Sequence, residues 1–272
     1  MGSWALVVPH EEVDRLDGTH VFAAPHPRLA AHVLSYTAQD FHQHERRTWR
    51  IAPLGVITLA IDFETPIRRL ECGMVLPFSS VAGLRDRPMV IEESPGHSRG
   101  ISIGLTPLGA FSLLGLPLKE IANTNVGLTE LLGVRGRVLT EELAETRGWA
   151  ARFRLLDERF TEWLSDGRVL DAPVLGAWRH LENTGGRVRI DRLADQIGWT
   201  RQHLNLRFRE QIGLSLKTAG RVARLRHAAV LMTGGLSLAE IAAVTGYADQ
   251  AHLNRDFRAL TGCTPTEYRR KW

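Results

Sequence analysis

The sequence predicts an α+β protein: a β-rich sandwich or barrel domain with accompanying helices in its N-terminal part, and an all-α domain with two helix-turn-helix units in its C-terminal part. Three observations lead to this prediction. They are short apolar runs between Pro and Gly near the N-terminus, a repeated pair of helices near the C-terminus, and positive charge concentrated in the second region. We expect a β-rich domain over residues 1–135, a connecting helix and hinge over 136–171, and the helical domain over 172–272.

The first hundred residues contain five runs rich in strand-forming side chains, at residues 29–36, 55–63, 74–81, 89–93 and 100–105. Turn residues separate these runs at close spacing, whereas a parallel sheet would place helices between its strands. We therefore expect a small antiparallel sandwich or barrel. A helix follows it, because Thr106 is a good N-cap, Pro107 suits the first turn and Gly115 suits the C-terminal end.

Residues 140–164 predict one long helix, with Glu141, Glu142 and Glu145 at its N-terminal end, where the helix dipole favours negative charge. Large apolar side chains follow at heptad spacing and form a seam, which consists of Trp149, Phe153, Leu156, Phe160 and Trp163. The seam either packs on the β-rich domain of its own chain or pairs with the same seam of a second copy. We expect the second arrangement, a homodimer, and a hinge at residues 165–167.

Residues 190–210 have the pattern of two short helices that meet at a sharp turn. Gly198 ends the first helix, and Thr200 supplies an N-cap hydroxyl for the second. Leu204 and Phe208 are four residues apart, so both point towards the first helix and leave a polar face outward. A polar helix crossed by a second one fits the major groove of DNA.

Residues 238–260 repeat this pattern. Gly246 lies 48 residues after Gly198, and Phe257 lies 49 residues after Phe208, so the second turn has one extra residue. Each phenylalanine is followed five residues later by a glycine that can end a helix. A repeat this regular is hard to explain by helix packing alone.

The second repeat and the residues after it carry a characteristic set: Gly246-Tyr247, Asp249, Leu253, Arg255, Phe257, Thr261-Gly262, Thr264-Pro265 and Tyr268-Arg269. This set resembles the DNA-binding domain of the AraC/XylS family of bacterial transcription regulators. The resemblance implies two helix-turn-helix units, joined by a long helix, that bind successive major-groove segments on one face of double-stranded DNA. The joining helix is predicted over residues 217–233. The chain departs from the family at Leu216 and Ala219, where a Pro and a Tyr usually open that helix.

The residues left on the outward faces of the two recognition helices are our candidates for contacting DNA. They are Arg201, Gln202, Asn205 and Arg209 in the first unit, and Gln250, Ala251, His252, Asn254 and Arg255 in the second. Amide and guanidinium groups can read base edges through paired hydrogen bonds. The alternative for each is a solvated polar face, and Arg255 could instead contact phosphate or brace its unit.

Charge is distributed unevenly along the chain. Residues 172–272 carry 16 Lys and Arg against 8 Asp and Glu, a net charge of +8, whereas residues 1–171 carry 18 against 22, a net charge of −4. Positive charge on the region with groove-sized helices favours binding to phosphate through counterion release. A merely solvated basic surface is the alternative.

A pocket for a small-molecule effector in the β-rich domain is a further expectation. Its candidate lining residues are Tyr36, Trp49, Arg50 and Phe63, and ordinary barrel filling explains them equally well. His42 and His44 form an H-x-H pair without the Glu that a cupin metal site would place after it, so we interpret the pair as part of a solvated loop. His97 lacks a serine-histidine-aspartate arrangement around it. We expect no catalytic residue, no metal and no cofactor.

No apolar export segment opens the sequence, and no run approaches the roughly 18 apolar residues of a membrane helix. The two cysteines, Cys72 and Cys263, are far apart, as in proteins of reducing compartments. The sequence thus predicts a cytoplasmic transcription regulator that binds DNA and a small-molecule effector, with no membrane partner. Two alternatives are an enzyme with a β-barrel catalytic domain fused to a DNA-binding module, and a structural DNA-binding protein without sequence preference.

Overall fold

The computed structural model describes residues 17–64 and 67–271, and its N-terminal part is an antiparallel β-structure. The strands in this described part are β1 (Asp17–Ala23), β2 (Val33–Gln43), β3 (Arg47–Ile51), β4 (Ile57–Asp62), β5 (Arg69–Glu71), β6 (Met74–Val75), β7 (Ser80–Ala82), β8 (Met89–Glu93), β9 (Gly96–Leu105) and β10 (Asn125–Gly127). They form a six-stranded sheet in the order β1-β2-β9-β4-β7-β10 and a four-stranded sheet in the order β3-β8-β5-β6. The predicted β-rich fold is therefore confirmed.

Several predicted strand bounds differ from the structure. The run at 29–36 begins too early, because Pro27–Leu29 form a 3₁₀ turn and β2 starts only at Val33. The run at 74–81 is two short strands, one in each sheet. Strands β1, β3, β5 and β10 were not predicted. Charged residues alternate with apolar ones along β3 and β5. The expected loop at His42 is wrong as well, since that residue lies within β2.

The two faces of the six-stranded sheet have different chemistry. One face is apolar and packs against the helices, where Tyr36 stacks on Phe153 with ring centroids 5.5 Å apart. The other face lies under the four-stranded sheet, and Arg69 joins the two sheets through hydrogen bonds. It donates to Asp62 Oδ2 at 2.8 Å and to Glu93 Oε1 at 3.0 Å. Burial raises the pKa of Asp62, and Arg69 opposes that rise.

Helices account for most of the remaining chain. In the described part they are α1 (Pro107–Leu114), α2 (Leu128–Leu132), α3 (Val134–Glu145), α4 (Trp149–Ser165), α5 (Ala172–Asn183), α6 (Ile190–Ile197), α7 (Arg201–Ile212), α8 (Leu216–Met232), α9 (Leu238–Thr245), α10 (Gln250–Thr261) and α11 (Pro265–Lys271). Helix α1 has the predicted ends: the Thr106 hydroxyl accepts from the Gly109 amide, and Gly115 adopts a left-handed conformation. None of the helices in residues 17–64 and 67–271 is long and apolar enough to cross a membrane.

The single long helix predicted over residues 140–164 is wrong. The chain breaks between α3 and α4 at Gly148, whose φ of +80° favours glycine. The three glutamates consequently lie in the last part of α3 rather than at a helix N-terminus. Glu142 instead pairs with Arg159 of α4, with 2.6 Å between its Oε1 and Nη2 of the arginine.

The seam does not form a dimer interface. Phe153, Leu156 and Phe160 are buried within their own chain, and Trp149 stacks on Phe63 beside them. The alternative, in which the seam covers the β-rich domain of its own chain, is the arrangement that the structure has. A substituted seam would therefore disturb folding rather than dimerisation.

The hydrophobic core continues across the boundary expected at residue 172. One cluster of buried side chains includes Tyr36 of the sheet, Leu170 of the segment between α4 and α5, and Phe208 of the first helix-turn-helix unit. A second cluster surrounds Phe257 and includes Leu54 from the loop between β3 and β4. The N-terminal part therefore packs against both helix-turn-helix units.

Candidate nucleic-acid interface

The first helix-turn-helix unit consists of α6 and α7. Gly198 ends α6 with a φ of +75°, a left-handed conformation that glycine adopts without strain. The Thr200 hydroxyl then caps α7 by accepting from the His203 amide at 3.2 Å. Leu204 and Phe208 are fully buried against the rest of the unit. The turn, the cap and the buried face are as predicted.

The second unit, α9 and α10, repeats this construction. Gly246 has a φ of +80°, and the Asp249 carboxylate caps α10 by accepting from the His252 amide at 2.6 Å. Leu253 and Phe257 are fully buried. Both recognition helices, α7 and α10, have 12 residues and end at a left-handed glycine.

Helix α8 joins the two units, and its 17 residues span about 25 Å at ~1.5 Å per residue. Its predicted stripe is buried: Val222, Leu225, Ala229 and Met232. Arg221 of α8 also pairs with Asp256 of α10. Burial and this carboxylate raise the pKa of Tyr247, whose hydroxyl donates to Asp256 Oδ2 at 3.3 Å. The relative position of the two units is thus set by packing and by a polar cluster.

The outward face of α7 exposes three of its four predicted residues, Arg201, Gln202 and Arg209. Asn205 is half-buried, and its Oδ1 accepts from the Leu216 amide at 3.1 Å. The Asn205 side-chain oxygen therefore stabilises the N-terminal end of α8. The prediction that Asn205 lies on an open, groove-facing surface is wrong.

The outward face of α10 exposes Gln250, Ala251 and Arg255. Asn254 is half-buried like its counterpart Asn205, and its buried Oδ1 has no hydrogen-bond partner in the described residues. The reason lies in the repeat: the residue 49 positions after Leu216 is Pro265, which has no N–H to donate.

His252 is only partly available to a ligand. Its ring meets Tyr247 edge-on with centroids 5.2 Å apart, and its Nδ1 accepts from the Ala248 amide at 3.4 Å. The first unit has the same arrangement, in which His203 meets Trp199 at 4.5 Å. Nε2 is therefore the ring nitrogen that can face a groove.

The exposed residues of these faces that were not predicted from the sequence include His203, Leu206 and Arg258. Leu206 is 65% exposed and lies four residues after Gln202, hence on the same face of α7. Arg258 is exposed and lies 49 residues after Arg209. The repeat offset could have identified Arg258, whereas an exposed leucine carried no signal in the sequence alone.

The four residues expected to line an effector pocket do not converge. Tyr36 is buried on the helix side of the six-stranded sheet and donates to Asp157 Oδ1 at 2.8 Å. Trp49 lies in the four-stranded sheet, where its indole N–H donates to Glu93. Phe63 stacks on Trp149 in the seam.

Arg50 lies elsewhere again, at the second helix-turn-helix unit. A Cβ at Gly262, which ends α10, would lie 2.1 Å from Arg50 Nη1. The predicted pocket is therefore wrong as a single site. Arg50 instead marks a contact between the four-stranded sheet and α10.

The inner face of β2, under the four-stranded sheet, carries polar atoms without partners. Ser35 Oγ, Thr37 Oγ1 and Gln43 Oε1 are buried and have no hydrogen-bond partner in the described part of the chain. They share one face of β2, because residues 35, 37 and 43 are separated by even numbers of positions along the strand. No group of three or more His, Cys, Asp or Glu in residues 17–64 and 67–271 could hold a metal ion.

Two family models match the chain. Residues 193–271 match a helix-turn-helix domain, and residues 22–127 match a domain of unknown function, DUF6597. The xylose operon regulatory protein of Escherichia coli strain K12 is 27% identical over 131 residues, which cover 47% of this chain and 33% of that protein. The F1 operon positive regulatory protein of Yersinia pestis is 36% identical over 83 residues, which cover 30% of this chain and 28% of that protein.

The chain thus spans about a third or less of the length of these curated relatives. Among solved structures, ToxT from Vibrio cholerae has a TM-score of 0.50 and 12% identity, and the match covers 87% of this chain and 98% of that one. This likeness shows that the β-rich part and the helical part are arranged in a known fold.

The repeated units, with their caps, turns and joining helix, define a double helix-turn-helix protein. The matched model and the matched operon regulators specify the type: the C-terminal part of the chain is a helix-turn-helix domain of the AraC type.

Proposed function

We propose that the protein is a transcription regulator that binds specific double-stranded DNA through α7 and α10. The observation that carries this proposal is the pair of exposed polar recognition helices held on one joining helix. A single α-helix fits the major groove, and two units about one helical repeat apart, ~34 Å, would read successive segments. The net charge of +8 over residues 172–272 supports attraction to phosphate.

The exposed residues of each helix suggest the division of contacts. Gln202 and Gln250 are suited to adenine, and Arg201 and Arg255 to guanine or phosphate. The apolar residues Leu206 and Ala251 are suited to a thymine methyl group. Arg209 and Arg258 lie at the C-terminal ends of the helices and would contact the DNA backbone, and His252 would contribute Nε2.

The N-terminal part would supply control by a small-molecule effector, with residues 1–135 as the regulatory domain, 136–171 as the connection and 172–272 as the DNA-binding domain. The unsatisfied polar atoms on the inner face of β2 support a polar ligand between the sheets, because buried polar groups are normally paired. The buried contact of Leu54 with the second unit supports a physical link from that domain to DNA binding.

A homodimer in the cytoplasm, bound to paired half-sites, completes the proposal. Because the seam is buried, the dimer would use a different surface, and Val134 and Val138 are exposed apolar residues one turn apart on α3. Sedimentation of the wild type and of Val134→Asp/Val138→Asp, free and on DNA, tests this part. A wild type that remains monomeric in both conditions would remove the dimer.

The main experiment is selection of DNA fragments by the purified full chain from a random pool, followed by competition with random DNA at a stated salt concentration. We expect one enriched sequence with two separated blocks, one for each recognition helix. Enrichment without any shared sequence would leave only a structural DNA-binding protein.

A further inference from the structure

A surface cleft of about 360 Å³ lies where the end of α1, the beginning of α3 and the end of α4 meet the segment that leads to α5. Its lining includes Leu113, Arg135, Glu162, Trp163, Asp166 and Arg168. This volume is in the range of sites that hold small organic molecules, about 300–1,000 Å³. The cleft is separate from the space between the two sheets and from both recognition helices.

Two arginines in the cleft have no acidic partner. The guanidinium carbon of Arg135 lies 4.3 Å from the ring centroid of Trp163, and that of Arg168 lies 5.2 Å from the centroid of Phe111. No carboxylate oxygen of the described residues lies within 4.0 Å of a guanidinium nitrogen of Arg135 or Arg168. Arg168 Nη1 donates to the Gly115 carbonyl oxygen at 3.3 Å, so Arg168 keeps its remaining in-plane N–H groups for a ligand. A guanidinium stacked on a ring presents such in-plane N–H groups at its edge, and that edge matches a carboxylate.

The acidic residues of the cleft differ from each other. Glu162 is already paired with Arg159 at 3.4 Å, whereas Asp166 forms no ion pair with any described residue. The cleft thus presents two unpaired cations, one unpaired carboxylate and an apolar wall of Leu113 and Trp163. This combination matches the two charges and the side chain of an amino acid.

We propose that this cleft binds a free α-amino acid with an apolar side chain. Arg135 and Arg168 hold its carboxylate, Asp166 holds its ammonium group, and its side chain contacts Leu113 and the part of the Trp163 ring that Arg135 leaves uncovered. A simple anion would leave Asp166 without a partner, and a simple cation would face two arginines.

The segment after the cleft connects this site to the first recognition helix. The Ser112 hydroxyl donates to the Arg168 carbonyl oxygen at 2.7 Å, and Leu170 is buried two residues later. Asp171 then accepts from Arg207 of α7 at 2.8 Å, and its amide donates to Gln211 Oε1 of the same helix at 2.9 Å. A ligand that moves Arg168 therefore displaces the carboxylate and the amide of Asp171, which hold α7. This regulatory step rests on the proposed DNA binding.

Calorimetric titration of the full chain with three matched probes tests the site. The probes are L-leucine, 4-methylpentanoate, which lacks the ammonium group, and isopentylamine, which lacks the carboxylate. We expect L-leucine to bind at least about tenfold more tightly than either fragment. Arg135→Gln and Arg168→Gln should each raise its Kd about tenfold, because each removes a charged hydrogen bond.

Two further variants make the test specific. Asp166→Asn should weaken L-leucine binding but leave the Kd of 4-methylpentanoate unchanged. Arg137→Gln is the matched control, because Arg137 is exposed on the same helix as Arg135 and is absent from the cleft. Circular dichroism confirms that each variant is folded. Equal binding of L-leucine by the wild type and both cleft arginine variants, or no saturable binding of L-leucine, would overturn the proposal.

The effect on DNA is measured separately, with the selected DNA fragment and saturating L-leucine. A change in DNA affinity that Asp171→Asn abolishes, while L-leucine binding persists, supports the connection to α7. An unchanged DNA affinity overturns the connection but not the site. L-leucine binding by a protein that selects no DNA would contradict the proposed function alone, and selected DNA without L-leucine binding would contradict the site alone.

Discussion

In the first helix-turn-helix unit, Arg207 occupies the position at which the second unit has Asp256, 49 residues later. Each pairs with an opposite charge from outside its recognition helix: Arg207 with Asp171 before α5, and Asp256 with Arg221 of α8. The first pair is about one-third exposed on both sides, whereas the Asp256 carboxylate is buried. The same backbone arrangement is therefore braced by charges of reversed sign.

The surroundings of the two units differ as well. The first unit shares a hydrophobic cluster with the β-rich domain, and a Cβ at Gly213, which ends α7, would lie 2.9 Å from the Leu118 carbonyl oxygen. The second unit has a core of its own, which Leu54 enters from the β3–β4 loop. A change in the N-terminal part should consequently reach α7 through broad packing and α10 through a narrow contact.

The largest expected effect compares the two buried phenylalanines. Phe208→Ala and Phe257→Ala should each lower the free energy of unfolding by about 3 to 5 kcal/mol, because each leaves a cavity in a close-packed core. Hydrogen exchange should separate them. Phe208→Ala should speed amide exchange in the sheet as well as in α7, whereas Phe257→Ala should affect α9, α10 and α11. If each variant changed amide exchange only within its own helix-turn-helix unit, the result would contradict a core that the first unit shares with the sheet.

The next comparison concerns the two reversed ion pairs. Asp256→Asn should lower the free energy of unfolding by about 2 kcal/mol, because it leaves Arg221 and the Tyr247 hydroxyl without their charged hydrogen-bond acceptor. Arg207→Gln should have an effect below about 1 kcal/mol, since about a third of each side chain in that pair is exposed and solvent screens the attraction. Urea denaturation of both variants measures the difference. A larger effect for Arg207→Gln would reverse the assigned roles of the pairs.

Sequence alone was sufficient for the parts of the fold that local rules determine. Gly198 and Gly246 predicted the turns, Thr200 predicted the cap of α7, and the spacing of Leu204 and Phe208 predicted the buried face, because each depends on residues close in the chain. The repeat then identified the second unit by comparison with the first.

The parts that failed depend on distant partners. Strand β5 was missed because Arg69 is a charged residue that becomes buried only when Asp62 and Glu93 surround it. The break before α4 was missed because all seam residues, from Trp149 onwards, lie after Gly148. Their regular spacing therefore does not indicate where the helix begins. Asn205 was placed outward because nothing near it in the sequence indicates that the Leu216 amide needs an acceptor.

The two units should respond alike when a residue that contacts a base is removed. Gln202→Ala and Gln250→Ala should each reduce the preference for selected over random DNA by about 1 to 3 kcal/mol, because each removes a paired contact with a base. Competition binding at fixed salt measures this preference. Gln196→Ala is the matched control, since Gln196 is exposed on α6 rather than on a recognition helix. An unchanged preference in both recognition-helix variants would mean that these faces do not read bases.

The smallest expected effect separates the two equivalent asparagines. Asn205→Ala should lower the free energy of unfolding by about 1 kcal/mol, because the Leu216 amide loses an acceptor of the kind that caps a helix. Asn254→Ala should be neutral or slightly stabilising, since its buried Oδ1 has no partner to lose and Pro265 offers no N–H. Both variants are measured by urea denaturation of the full chain.

A double-mutant cycle sharpens this comparison. Pro265→Ala restores an amide at the position equivalent to Leu216, so Asn254→Ala should become destabilising by about 1 kcal/mol in that background, although we expect it to be neutral or slightly stabilising in the wild type. The effect of Pro265→Ala on its own cancels, because the two proteins compared, Pro265→Ala and Pro265→Ala/Asn254→Ala, both contain it. A coupling energy near zero would mean that Asn254 cannot reach the restored amide, and that the second unit differs from the first in backbone geometry as well as in the residue at this position.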